Sequence, residues 1–249
     1  PRDSRALALT FDDGPDPVAT PALLALLDRQ GVQATFFLLG RRAADHPELV
    51  DAIIEAGHTV GNHSHSHDPA LMLRASRRLE ADIVAMQDLL AGHGVRPLAF
   101  RPPVGITNPL LGGVLKRLGL YAVNFSCRGY DLGNRRLKGL AHKLLGRVRA
   151  GDILLLHDTA PPEKTDADLA VWLQEVETLL EGLGEKGLAV LPLGALIGRE
   201  VMVHLDSAAG TAADAAAGAD AVADADSAAG TDAASSASMQ CQQRGSEAK

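Results

Sequence analysis

Residues 152–157 read Asp-Ile-Leu-Leu-Leu-His, four aliphatic side chains in a row between titratable ones. The run is too short for a helix, and without alternation of apolar and polar positions it reads as a strand covered on both faces. Strands of that kind belong to parallel sheets whose crossovers are helices. The first two hundred residues supply both.

Six further stretches have strand character: ALALTF (6–11), QATFFLL (33–39), HTVGN (58–62), PLAFR (97–101), YAVNFS (121–126) and LAVLPL (188–193). Between them lie helical periodicities, such as Leu23, Leu24, Leu26 and Leu27 after Thr20-Pro21, and Leu79, Ile83, Met86 and Leu90. Proline falls at or near several predicted helix starts, and Gly31, Gly57, Gly92 and Gly119 fall where helices should stop. The expected fold is α/β, a distorted (β/α) barrel of about seven parallel strands, with an open doubly wound sheet as the alternative.

From Leu205 onward the chain becomes Ala, Asp, Gly and Ser, and the hexapeptide DSAAGT at 206–211 recurs at 226–231. Leu205, Val222 and Met239 are the only large aliphatic side chains there, too few to offset an ordering cost of about 1–2 kcal/mol per residue. Residues 205–249 are therefore expected to be a disordered tail and residues 1–204 the folded domain. The tail holds seven acidic residues against Arg244 and Lys249, which leaves 24 acidic and 22 basic residues in the domain. So small a charge argues against a nucleic-acid footprint. Cys127 and Cys241 sit one in the domain and one in the tail, so no structural disulfide is expected. No stretch reaches the roughly 18–20 apolar residues of a membrane span. The sequence opens on Pro1 without a signal peptide, so the expected location is the cell envelope or another extracytoplasmic space if an upstream segment was removed, and the cytoplasm otherwise.

In parallel α/β folds the active site gathers at the carboxyl ends of the strands. Asp12 and Asp13 end the first predicted strand, His63, His65 and His67 follow the third, Arg101 ends the fourth, Asp131 follows the fifth and His157 ends the sixth. Taken alone, TFDDGPDP (10–17) is turn chemistry and GNHSHSHDP (61–69) a solvated or incidentally metal-binding loop. Brought to one end of a sheet, adjacent carboxylates and clustered imidazoles are the material of a hydrolytic metal site.

TFDDGPDP, HSHSH (63–67), FRPPVG (100–105), NFSCRGYD (124–131) and ILLLHD (153–158), in this order and spacing, resemble the five signature motifs of the polysaccharide deacetylases, metal-dependent carbohydrate esterases that include chitin and peptidoglycan deacetylases. The resemblance covers about residues 5–198 and implies that residues 1–204 form a catalytic domain of about seven β/α units. It implies Asp13, His63 and His67 as metal ligands and Asp12 as general base. His63 and His67 stand four apart, the spacing at which two rings leave one face of a helical turn, while His65 points elsewhere. Two imidazoles and one carboxylate leave positions open for water and substrate; zinc suits this donor set, with Co2+, Ni2+ or Mn2+ as alternatives.

The resemblance further implies one divalent metal that polarises the acetyl carbonyl and acidifies water, an oxyanion donor from the backbone near Val104, and His157 as acid towards the leaving amine. Arg101 is the expected partner of the base and Asp131 that of His157, against the alternative that both pairs only organise loops. Leu155 and Phe125 are candidates for the acetyl-methyl pocket, although core packing would suit them equally.

Two departures bear on substrate: Val104 stands where the third motif commonly has an aromatic residue, and Phe125 where the fourth commonly has Trp. Trp172, Tyr121 and Tyr130 join only five Phe in the chain, and Trp172 lies on a predicted core-facing helix, so sugar-stacking platforms are scarce. The expected reaction is removal of an N-acetyl group from an amino-sugar glycan, oligosaccharide or glycolipid, with a short or lipid-linked substrate favoured over a long polymer. The alternatives are a deformylase or amidase acting on another small or lipid-linked N-acyl sugar, and a noncatalytic carbohydrate-binding module of the same fold. Retention of both Asp12 and His157 argues against the last.

Overall fold

The computed structural model of the chain describes residues 5–131, 133–161 and 165–205. Residues 206–249, expected to be disordered, and Cys241 among them lie outside the described residues. The chain runs β1 (Ala6–Asp12), α1 (Ala19–Arg29), β2 (Thr35–Leu38), α2 (Gly40–Asp45), α3 (Pro47–Glu55) and β3 (Thr59–Asn62). It continues through α4 (Ser76–Ala91), β4 (Val95–Pro97), β5 (Ala99–Phe100), α5 (Leu111–Arg117), β6 (Tyr121–Ala122) and β7 (Cys127–Arg128). Then follow α6 (Leu140–Leu145), β8 (Ile153–His157), α7 (Asp166–Glu185), β9 (Ala189–Val190), α8 (Leu193–Ile197) and β10 (Met202–His204).

Seven strands pair in parallel in the order β6-β5-β3-β2-β1-β8-β7, and β9 adds to the start of β1. The sheet curls into a half-barrel, the form the expected distorted barrel takes here. Every residue of β1 and β2 is buried, as are the three central leucines of β8, which is why these segments carry unbroken apolar runs. The helices cover the sheet with stripes at three- and four-residue spacing: Leu23, Leu26 and Leu27 from α1, Leu79, Ile83, Met86 and Leu90 from α4, and Trp172, Val176, Leu179 and Leu183 from α7. Trp172 is thus a core residue, fully buried. Burying each such side chain contributes about 1.5–3 kcal/mol.

Two predicted strands are divided. The run 97–101 splits because Pro97 has no N–H to give a central ladder; β4 pairs antiparallel with β10, and the chain crosses over at Leu98 before β5 joins the main sheet. Both Leu98 N and Ala99 N donate to Val201 O, at 2.7 and 3.2 Å, which marks the crossing. The run 121–126 leaves the sheet after Ala122, and the short β7 that follows it was not anticipated. Of the glycines read as helix stops, Gly31, Gly57 and Gly119 adopt left-handed backbone (φ 61°, 79° and 66°), whereas Gly92 stays right-handed and Gly94 takes that role after α4.

Register positions the chemistry. Asp12 lies opposite Phe37 of β2 on one side and His157 of β8 on the other, so the carboxylate and the imidazole leave the sheet at one level.

Candidate active site

The loop after β1 is built by close approach. Asp158 N donates to Asp12 O at 2.8 Å, and a Cβ on Gly14 would lie 2.3 Å from Asp158 Oδ2, so only glycine fits there. Asp16 Oδ1 then accepts from the amides of Val18 and Ala19, both at 3.0 Å, and starts α1. In this loop Asp13 takes a left-handed backbone, φ 74°.

His63 and His67 come together by a different route from the expected helical turn. The segment after β3 is a loop with left-handed residues at Ser64 and His67 (φ 75° and 51°). Side chains hold it: Asn62 Oδ1 accepts from Ser64 N at 2.8 Å, Ser64 Oγ from His67 N at 3.0 Å, and Asp82 Oδ2 from His65 N at 2.9 Å. The two rings end 5.2 Å apart, while His65 packs against Gly40, away from the pair. Four-residue spacing signalled the pairing, but polar loop anchors rather than helical geometry achieve it.

Both histidines converge on one oxygen. Asp13 Oδ1 lies 3.4 Å from His63 Nε2 and 3.3 Å from His67 Nε2, in neither case with hydrogen-bond geometry. Burial alone would raise the Asp13 carboxyl, but His63, His67 and His157 together hold it well below the usual carboxylate range. His63 Nδ1 is 2.7 Å from the Arg101 carbonyl, which can only accept, so Nδ1 carries a proton and Nε2 is the nitrogen turned towards Asp13. Among the described residues, Asp13, His63 and His67 are the one set of three whose donor atoms lie within 4.8 Å of one another. A buried, unsatisfied carboxylate oxygen beside two imidazole nitrogens, one fixed by a backbone carbonyl behind it, fits a divalent metal with open positions.

Asp12 is engaged otherwise. Its Oδ1 accepts from Arg101 Nη1 at 2.7 Å, and Oδ2 lies 3.8 Å from His63 Nε2. Arg101 is fully buried, donates also to Thr10 Oγ1 at 2.7 Å and stacks 4.0 Å over the Phe37 ring. Thr10 was legible as a polar position inside an apolar strand, but sequence reasoning assigned it no part. His157 Nδ1 is 2.8 Å from Asp131 Oδ2. Burial works against the charged imidazole, yet the bond to Asp131 and the charges of Asp131, Asp13 and Asp12 push it up to about 9.

Asp12, Asp13, His63, His67, Asp131 and His157 line one cleft of about 370 Å³ together with Val104, Phe125 and Leu155. Val104 sits on a short 3-10 turn with φ 53°, its side chain half exposed, and its amide takes no partner among the described residues. Leu155 is buried beneath the cleft. Sequence reasoning missed Arg128, Tyr130 and Arg135 on its wall. It also missed Asp158, buried below the loop, where Oδ2 accepts from Thr20 Oγ1 at 2.8 Å and burial pushes the carboxyl up to about 7.

Comparison with known proteins places this geometry. The polysaccharide deacetylase family profile matches residues 1–123. A peptidoglycan-N-acetylglucosamine deacetylase of Bacillus cereus is 34% identical over 180 residues, 71% of this chain and 84% of the relative. A chitooligosaccharide deacetylase of Azorhizobium caulinodans is 33% identical over 205 residues, 77% of this chain and 94% of the relative. Among solved structures, a peptidoglycan N-acetylglucosamine deacetylase in complex with an N-hydroxybenzamide superposes with a TM-score of 0.72 at 29% identity, over 81% of this chain and 92% of that one. With the fold, the five motif segments and these relatives in agreement, the chain belongs to the polysaccharide deacetylase family.

Proposed function

We propose that the cleft hydrolyses the acetamide of an N-acetylated amino sugar in a glycan, releasing acetate and leaving a free amine. The observation that carries this reading is the meeting of a carboxylate–imidazole–imidazole donor set with two differently committed acid–base groups, Asp12 and His157, in one cavity. Asp13, His63 and His67 would hold a divalent metal, zinc by donor chemistry. Such an ion supplies a Lewis acid that polarises the acetyl carbonyl and acidifies water.

Asp12 has one oxygen bound to Arg101 and the other directed to the cleft, so it takes the proton of the attacking water at Oδ2. Arg101 holds Oδ1 by a charge-assisted hydrogen bond and so fixes its rotamer. The Val104 amide is the donor for the oxygen that gains charge. His157, kept protonated by Asp131, gives its proton to the departing nitrogen, which leaves poorly as an amide anion. Phe125 and Leu155 bound the space for the acetyl methyl.

The test is acetate release from N-acetylglucosamine oligomers and from peptidoglycan fragments, before and after chelation and after addition of Zn2+, Co2+ or Mn2+, with N-formyl oligomers alongside. Chelator-sensitive acetate release supports the reading. Release of formate alone, or carbohydrate binding without hydrolysis under every metal, rejects it.

A further inference from the structure

Arg128 is the last residue of β7 and pairs in register with Leu155, two residues before His157. Its guanidinium carbon lies 4.5 Å from the Tyr130 ring centroid and 5.3 Å from that of Phe125. Arg147 also approaches this group, its guanidinium carbon 5.5 Å from the Tyr130 ring centroid. Arg128 forms no ion pair with any described carboxylate, although it lines the cleft beside three. Those three are committed elsewhere: Asp12 to Arg101, Asp13 to the two imidazoles, and Asp131 to His157. Arg135 adds a second guanidinium to the wall.

A guanidinium held against two aromatic rings is preorganised, while its N–H edge keeps its donors. Nothing about a neutral sugar requires such a cation on the wall of the cleft that holds His157. An anion arriving with the substrate would satisfy it with paired, charge-assisted hydrogen bonds.

Resting on the deacetylase reading, we propose that the substrate carries an anionic group, a carboxylate or a phosphate, on the acetylated sugar or its immediate neighbour, and that Arg128 is the residue that selects it. The shared cavity sets the distance: a group that reaches Arg128 lies within one sugar of an acetamide held at His157.

The experiment compares four oligomers of equal length with the metal-loaded enzyme: neutral N-acetylglucosamine tetramer, the alternating tetramer containing N-acetylmuramic acid with its lactyl carboxylate free, the same tetramer with that carboxylate amidated, and a tetramer bearing a sugar 6-phosphate. The expected result is kcat/KM about tenfold higher or more for the free carboxylate or the phosphate than for the amidated and neutral forms, mainly through KM, with the advantage shrinking as salt is raised. Whichever anion gains more identifies the source. R128Q should bring the carboxylate-to-amide ratio to about one, and R128K should keep part of it. Equal rates on charged and amidated tetramers by the parent enzyme, or an unchanged ratio in R128Q, would overturn the proposal. Direct binding of the free and amidated tetramers decides it independently of turnover, so absence of all acetate release would defeat the deacetylase reading while the binding ratio still judges Arg128.

Discussion

Arg101 holds Asp12 through its side chain, Nη1 to Oδ1 at 2.7 Å, and through its own carbonyl it also fixes His63 Nδ1 at 2.7 Å. One fully buried residue therefore orients the base and one nitrogen donor of the metal site, by two separable groups.

That separation predicts a split phenotype. Arg101→Lys keeps the backbone carbonyl and the charge but replaces a guanidinium whose Nη1 donates to both Thr10 and Asp12 while Nε donates to Val123 O with a single ammonium on a differently shaped stem, so kcat should fall while metal content stays at parent level. Arg101→Met leaves Asp12 as a buried, unpaired charge and should cost about 3–5 kcal/mol of stability, read as a lowered thermal midpoint. Metal loss in Arg101→Lys would contradict the division of labour.

Asp12 and Asp13 are neighbours with opposite commitments, one to Arg101 and one to His63 and His67. Asp12→Asn should retain metal and lose about two to four orders of magnitude in kcat, the range of general-base catalysis. Asp13→Ala and His67→Ala should lose metal and activity together. Metal analysis beside single-substrate kinetics separates the cases, and full occupancy in His67→Ala would remove it from the ligand set.

The polar ends of β1, β5 and β8 could be read from the sequence because parallel strands deliver their last residues to one face, and Asp12, Arg101 and His157 follow from that alone. The pairing of His63 with His67 was legible as well, but not its cause, since Asp82 lies on a helix distant in sequence and no local spacing links it to the loop. Arg128 escaped because β7 is two residues long, too short to show a period, and an arginine there reads as surface charge. Asp158 escaped for a different reason: its burial depends on Gly14, whose missing Cβ makes the contact possible.

His157 must be protonated to act, and Asp131 is the main charge that raises it, up to about 9. Activity should therefore fall as pH rises through the pKa of His157, which a divalent cation held by Asp13, His63 and His67 would lower. Asp131→Asn removes both the bond and the charge, so the basic limb of the kcat profile should move about one unit or more towards acid. A limb that stays in place in Asp131→Asn would show that another group sets it.

Asp158 inverts the usual pH dependence of a carboxylate. Its folded value is pushed up to about 7 from an ordinary 3.8, so the folded protein holds this proton where the unfolded chain has released it. That contribution is fully present below about pH 4 and is lost as pH rises towards 7. Asp158→Asn, neutral at every pH, should flatten the fall in thermal midpoint between pH 4 and 7 and be most stabilising relative to the parent at pH 7 and above. Parallel curves for the two proteins across that range would refute the assignment.

The position at which the chain can be shortened follows from β10. Val201 O accepts from Leu98 N and Ala99 N, β10 pairs with β4, and Leu205 N donates to Gly94 O at 2.8 Å. These bonds anchor the segment that leads through β5 into Arg101. A chain ended after Leu205 should match the full chain in thermal midpoint, metal content and turnover, because the sequence beyond carries no motif residue and little apolar surface. A chain ended at Gly198 strips β4 of its partner, exposes the buried side chain of Val201's neighbours and should lose roughly ten degrees or more, with activity falling as Arg101 loses its support. Equal behaviour of the two truncations would mean that β10 is an ornament of the domain. Loss of most activity in the longer one at unchanged metal content would mean that residues 206–249 act on the cleft, against what their composition implies.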